Sequence, residues 1–251
     1  MVFRLITRGR IVRGPCVAVV QGARYQVEVI SHRVWLYFRF PLSFREVEEL
    51  MFQRGVIVSY ETVRRWCARF GQAYANGLRS RRPRPGDTWH LDEVFIKVNG
   101  ELKYPWRAVD VGGSIPDTLE QNRRDKAAAR RFFRHLMKKT RAVSRVVVTD
   151  KLRSYRAAHR EVMPSVEHRQ SKYLNKRAEN SHQPTRRRER VMKGFRWVGG
   201  VQRFLSAFSG IPPRFRSHRH LMPAHHYRAG MTVRFAIWDQ ITGAAGRPTT
   251  A

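Results

Sequence analysis

Cysteine is nearly absent, with Cys16 and Cys67 the only two among 251 residues. Two thiols cannot build a disulfide framework or a tetrathiolate zinc site, so the composition reads as that of a reduced, cytoplasmic protein. Long apolar runs are missing too. No stretch approaches the roughly 18 consecutive apolar residues of a membrane-spanning helix. The segment from Cys16 to Val20 is too short for a secretory leader. Acidic residues are scarce: 19 Asp and Glu face 50 Lys and Arg, for a net charge of +31. A compact fold with that excess repels itself unless a polyanion neutralises it, which makes nucleic acid the expected partner and not a membrane. Apolar residues are present at an ordinary 42%, enough for a core.

Residues 1–24 lack periodicity and are expected to be a disordered arm. Residues 25–78 read as helical in three pieces. Val27 to Phe38 is apolar on one face. Ser43-Phe-Arg-Glu46 is a capping box opening a helix that ends near Gln53, with Gly55 as its left-handed cap. Ser59 caps a third helix, Tyr60 to Phe70, with Val63, Trp66 and Phe70 on one stripe and Arg64, Arg65 and Arg69 beside it. Two helices about a tight turn, the second carrying arginines, fit a helix-turn-helix. Spacing alone equally allows a three-helix bundle with solvated arginines; the net charge favours the DNA-binding reading.

A proline-punctuated basic run over 79–87 reads as a linker. The expected second domain spans 88–210. Thr88 to Val98 reads as one strand ending at Asn99-Gly100, a strong hairpin signal, and Glu101 to Val109 returns. A weaker third strand falls near Ile115 to Gln121. A helix over Asp125 to Lys139 turns Ala128, Phe132, Phe133 and Leu136 inward. A buried strand over Arg145 to Thr149 precedes a helix over Leu152 to Val162. A short segment near Val166 to Ser171, a long polar helix over Asn175 to Lys193 and an amphipathic one over Val201 to Phe208 complete the order. That sequence of elements suits a mixed α/β sheet with helices on its faces. Residues 211–251 read as a basic extension. Its histidines, His218, His220, His225 and His226, have neither cysteines nor a fixed spacing to make a zinc site.

Three acids stand out in this acid-poor chain. Asp92 interrupts an apolar strand, where burial is costly without a partner. Asp150 follows the buried strand, at the carboxyl end where α/β sheets place ligands. Glu179 lies on the long polar helix. Acids converging on one point can hold two Mg²⁺, with Mn²⁺ as substitute, about 3.5–4 Å apart for in-line phosphoryl transfer. Taken singly, each has a plainer reading: Asp150 as a helix cap, Glu179 as a salt-bridge partner. His182 and Arg186 share the Glu179 face of the helix and are candidates for phosphate contacts; a solvated face over Arg186–Arg190 is the equal alternative. Lys151, Arg153 and the Arg123-Arg124 pair are further candidate phosphate binders. Tyr155 reads as packing rather than as a nucleophile.

The runs His90-Leu-Asp-Glu-Val-Phe-Ile-Lys-Val-Asn-Gly100, Val148-Thr-Asp-Lys-Leu-Arg-Ser-Tyr155 and Glu167-His-Arg-Gln, with Asn175 and Glu179-Asn-Ser-His-Gln183, resemble bacterial insertion-sequence transposases of the DDE type. More narrowly, they resemble the insertion-sequence-six family, over about residues 25–245. The resemblance implies a ribonuclease-H-like core preceded by the small helix-turn-helix domain, with Asp92, Asp150 and Glu179 as catalytic metal ligands. It implies cleavage by metal-activated water and attack of the new 3′-hydroxyl on target DNA. The partners implied are the element's terminal inverted repeats, target DNA and a second copy of the chain in a homodimer or larger assembly. The expected place is the bacterial cytoplasm, at the nucleoid. The chain departs from the family pattern in its first 24 residues, at Pro105 in the second strand and at Pro116 in the third. A decayed transposase that only binds DNA is therefore the alternative, with a ribonuclease-H-type nuclease lacking strand transfer as a third.

Overall fold

A computed structural model describes residues 25–81, 86–110, 117–121, 125–140, 143–171, 173–215 and 221–244. The expected arm over 1–24 lies outside the described residues, as do Pro116, Arg123, Arg124, His218 and His220.

Three helices come first: α1 (Val27–Arg39), α2 (Phe44–Phe52) and α3 (Tyr60–Ser80). The capping box at the start of α2 forms as expected, with Glu46 N–H donating to Ser43 Oγ (3.2 Å) and Ser43 N–H to Glu46 Oε2 (2.6 Å). Thr62 N–H donates to Ser59 Oγ at the start of α3. That helix runs ten residues beyond the expected end at Phe70. Gly71 and Gly77 weaken its intrinsic propensity, but Tyr74, Ala75 and Leu78 continue the buried stripe, and tertiary packing carries the helix on.

Next come β1 (Thr88–Glu93), β2 (Ile96–Val98), β3 (Glu101–Asp110), β4 (Asp117–Gln121), α4 (Lys126–Thr140), β5 (Val146–Thr149), α5 (Arg153–Val162), β6 (Glu167–Gln170) and α6 (Lys176–Val191). β3 pairs antiparallel with β1, β2 and β4, while β5 pairs parallel with β1 and with β6. Across the sheet the order is β4-β3-β1-β5-β6, with β2 continuing the line of β1 along β3. This is the mixed, ribonuclease-H-like sheet flanked by helices. Asn99 (φ 50°) and Gly100 (φ 82°) make the tight β2–β3 turn, whose two positive φ values suit Asn-Gly.

The single strand expected over Thr88–Val98 is two strands. Trp89 and Leu91 belong to a core formed with α4 and α5, whereas Val94, Ile96 and Val98 belong to the helical core. The buried set changes from odd to even positions, and a period of two allows that only through a break, which falls at Val94–Phe95. Pro105 sits opposite this break. Its carbonyl accepts from Val94 N–H (2.9 Å), and the missing proline N–H falls where the ladder is already interrupted. β3 therefore runs its full ten residues through the proline.

The last elements are α7 (Val198–Gly210), the short α8 (Pro212–Phe215) and α9 (Ala224–Thr242). α9 lies within the stretch 211–251, expected only as a basic extension. Their buried residues, including Phe204, Leu205, Phe215, Trp238 and Ile241, join the core of α1–α3. Trp238 packs edge-on to Tyr74 (5.2 Å) and Phe215 (5.8 Å). That core thus draws on residues either side of the expected boundary at 210.

α7 crosses α3 closely at Gly210, where an added Cβ would lie 2.5 Å from the Cβ and 3.0 Å from the Cα of Ala75. Gly210 ends its helix, so little propensity is gained there. Gly210→Ala is expected to destabilise the fold by about 1–3 kcal/mol. Urea unfolding would show this as a lower midpoint, and an unchanged midpoint would mean the helices separate freely.

Candidate active site

Alternation along β1 assigns its side chains to two faces. Trp89, Leu91 and Glu93 are buried toward α4 and α5, while His90 and Asp92 face α6. Arg107 pairs with Asp92 across the β1–β3 ladder and shares its face. Its guanidinium, 2% exposed, donates to Ser181 O (2.6 Å) and Thr185 Oγ1 (2.7 Å) on α6. Asn175, at the start of α6, is buried and donates its side-chain N–H to Leu91 O (2.9 Å). These bonds lay a very polar helix on the sheet beside Asp92.

Asp92 is half-buried; its Oδ1 accepts from Glu93 N–H (3.0 Å), and its Oδ2 lies 2.9 Å from His182 Nε2. Burial holds the His182 imidazole below its ordinary pKa, although Asp92 opposes that. The contact is therefore a neutral imidazole N–H donating to a carboxylate rather than an ion pair. Asp150 follows β5, and its Oδ1 accepts from Leu152 N–H (2.9 Å), ordering the turn into α5. Thr149 Oγ1 donates to the Asp150 carbonyl (2.9 Å) and meets His168 Nε2 at 2.9 Å. Burial, with His159 and Arg156 nearby, lowers the pKa of His168 to about 4, so its ring is neutral at physiological pH.

A third carboxylate reaches the same point. Oxygens of Asp92, Glu93 and Asp150 lie within 4.8 Å of one another. Glu93 is 3% exposed and accepts from Tyr155 Oη–H (2.9 Å). Burial, then the charges of Glu93 and Asp92, raise the Tyr155 hydroxyl well above its ordinary pKa, so it remains a donor. Tyr155 also packs on Trp106 (5.0 Å) and Phe133 (6.2 Å), so its packing role is combined with one polar contact. The donor set is three hard carboxylates, which fits a hard divalent cation such as Mg²⁺ or Mn²⁺.

Glu179 lies on α6, one turn before His182; its side chain is outside the described residues. Glu93 and Asn175 belong to the runs that carry the resemblance, but sequence alone assigns neither a role at the site. The available signal for Glu93 was parity, because its strand position falls on the apolar face with Trp89 and Leu91. His182 is 2% exposed and turned to Asp92. Arg186, Lys151 and Arg153 are exposed. Arg64 and Arg65 are exposed on α3 and reach Glu61 at 2.6 and 3.5 Å, while Arg69 covers the Phe70 ring at 5.3 Å.

Residues 86–218 match a family model described as a DDE domain. The transposase for insertion sequence-like element IS431mec of Staphylococcus aureus is 30% identical over 164 residues, covering 63% of this chain and 73% of that protein. The transposase for insertion sequence element IS257 in transposon Tn4003, also from Staphylococcus aureus, matches with the same identity and coverage. Among solved structures, a chain of the simian T-cell lymphotropic virus intasome in complex with PP2A regulatory subunit B56 gamma aligns over 63% of this chain at 15% identity, with a TM-score of 0.33. This chain spans 50% of that one. With the DDE-domain match covering more than half its length, and with these relatives, the chain belongs to the insertion-sequence-six family of DDE transposases.

Proposed function

We propose that the protein binds the ends of an insertion sequence, cuts DNA strands there and joins the resulting 3′-hydroxyl to target DNA. The observation that carries the reading is the convergence of Asp92, Glu93 and Asp150 at the carboxyl end of the central strands, beside the helix bearing Glu179.

Asp92, Asp150 and Glu179 would hold divalent cations, with Mg²⁺ the expected ion and Mn²⁺ the substitute, and Glu93 adds a carboxylate to the same cluster. When bound, such ions supply positive charge against the pentavalent phosphate and bring the pKa of a water toward neutrality. The chain's own groups set the geometry. His182 N–H occupies Asp92 Oδ2 and fixes the rotamer of that carboxylate. Leu152 N–H does the same for Asp150. Tyr155 holds Glu93 from the core side. Lys151, Arg153 and Arg186 would contact phosphates, and Arg64, Arg65 and Arg69 on α3 would contact the terminal repeats. Joining two ends requires two sites, hence a homodimer or larger assembly working at the nucleoid. Among the described residues no helix is long and apolar enough to cross a membrane.

Incubation with Mg²⁺, a labelled duplex carrying the element's terminal repeats and a target plasmid tests the reading. Nicking and joined products are expected, and Asp92→Asn or Asp150→Asn is expected to lower both by at least about 100-fold. Binding without nicking by the parent protein would leave only a DNA-binding role, and cutting that survives either substitution would dismiss the assigned acids.

His182 generates a second test. His182→Ala is expected to weaken Mg²⁺ binding and strand cutting by about 10–100-fold, the usual scale for a residue that orients a ligand. His182→Gln, which retains an amide N–H near the Nε2 position, is expected to restore part of the loss. Calorimetric Mg²⁺ titration reads the effect without catalysis. Equal Mg²⁺ affinity in parent and alanine variant would remove His182 from this role.

A further inference from the structure

A second polar feature lies on α6, beyond the acids toward its carboxyl-terminal end. Between its carboxyl-terminal half and the end of α1 runs a groove of about 550 Å³. Arg39, Arg186, Arg187 and Arg190 line it, with Phe40 and Pro184 among its apolar surfaces. No carboxylate lines it, and among the described residues none of these four arginines has an ion-pair partner. Among the described residues, acids elsewhere do pair cations: Glu61 with Arg64, Glu101 with Lys103, Glu161 with Arg130 and Glu167 with Arg169.

Local geometry explains the segregation. In the run Arg186-Arg-Arg-Glu-Arg190, Arg188 is 1% exposed and points into the helical core, where it donates to Phe40 O (2.9 Å) and Leu42 O (2.6 Å) and lies over the Tyr37 ring at 4.2 Å. Glu189, the one acid of the run, accepts from Lys97 N–H (2.8 Å) on β2. Arg186, Arg187 and Arg190 therefore face the groove without an internal counter-charge. Arg39 joins them from α1, its guanidinium 5.1 Å over the Phe40 ring.

The ligand is set by spacing. From Glu179 to Arg190 the helix rises about 16 Å at roughly 1.5 Å per residue. That length exceeds a single phosphate group and is on the scale of several successive phosphates of a DNA strand, which carries one charge per roughly 3.4 Å of helix axis. Guanidinium groups strung along a helix suit a repeating anion better than a single headgroup, and each can grip phosphate oxygens bidentately. Gln183, also on the groove, lies one turn beyond Glu179, so a strand lying here leads to the acids. We propose that this groove holds the phosphodiester backbone of the DNA next to the reacting phosphate, fixing its path without reading its bases. The proposal rests on the transposase reading above and adds to it the site of the flanking strand.

The test measures binding alone, by fluorescence anisotropy of the full chain with two labelled duplexes, one carrying the terminal repeat and one scrambled, across a salt series. Arg186 is kept, since it serves the reacting phosphate. Arg39→Gln/Arg187→Gln/Arg190→Gln is expected to weaken both duplexes alike and to reduce the slope of log K against log salt by about 3, near one per lost phosphate contact. The charge-conserving set Arg39→Lys/Arg187→Lys/Arg190→Lys is expected to keep most of the slope, which guards against a folding defect in the glutamine set. Unchanged affinity and slope in the glutamine set, or a loss confined to the terminal-repeat duplex, would overturn the proposal. So would a loss seen with phosphatidylserine vesicles and not with duplex, which would reassign the groove to a lipid surface. Nicking is scored separately. A parent protein that binds but does not nick removes the catalytic reading alone, and one that nicks while the glutamine set binds normally removes the groove alone.

Discussion

Helix α6 depends on two buried arginines, one on the sheet and one on the helix itself. Arg107 rises from β3 to grip Ser181 and Thr185, and Arg188 descends from α6 to grip Phe40 and Leu42 in the α1–α2 connection. Burying a guanidinium costs several kcal/mol unless its donors are satisfied, and removing one side of such a contact leaves a buried charge exposed to that cost. Both arginines direct N–H donors to backbone carbonyls, acceptors that cannot titrate. The helix that carries Glu179 and His182 is thereby tied to the sheet and to the helical core at once. Apolar packing alone could not do this, because α6 has almost no apolar residues to bury.

The acids sit at the seam between the two cores. Along β1 and β2 the buried side chains change parity just after Asp92 and Glu93, as the strand passes from the core of α4 and α5 to that of α1–α3, α7 and α9. A strand that must serve two cores has to break, and the break is where polar groups are cheapest to place. Pro105 on the neighbouring strand fits the same interruption. What looks from sequence like decay of the second strand is consistent with its geometry.

The fold was largely legible because period and punctuation agreed. The capping box at Ser43, the Asn99-Gly100 hairpin and the apolar stripe of Ala128, Phe132, Phe133 and Leu136 all lie where local chemistry put them. The parts that were not legible share a cause, which is long-range compensation. α3 continues past Phe70 through Gly71 and Gly77, two weak helix formers, because the buried stripe of Tyr74, Ala75 and Leu78 packs along it. The histidines and arginines around α9 obscured Trp238 and Ile241. At the site, Asp92 and Asp150 could be read from strand position and motif. The burial of His182 and Arg188 could not, since a basic polar run looks solvated until the carbonyls and carboxylate that meet it are known.

Charge organises the rest. Three carboxylates within 4.8 Å repel one another by at least about 3 kcal/mol per pair at an effective dielectric near 20. Such a cluster in a chain of net +31 makes a local negative well inside a positive field. The two parts serve different attractions. The long-range field draws a polyanion and repels small cations, while the well is deep enough only at contact distance to hold a divalent ion. Five of the other acids reinforce the separation. Glu61, Glu101, Glu161 and Glu167 each neutralise a surface cation, and Glu189 is spent on a backbone amide, so none of these five lies in the arginine groove. In a chain with few acids, the carboxylate cluster and the acid-free arginine groove are thus kept apart, and both lie along the same helix.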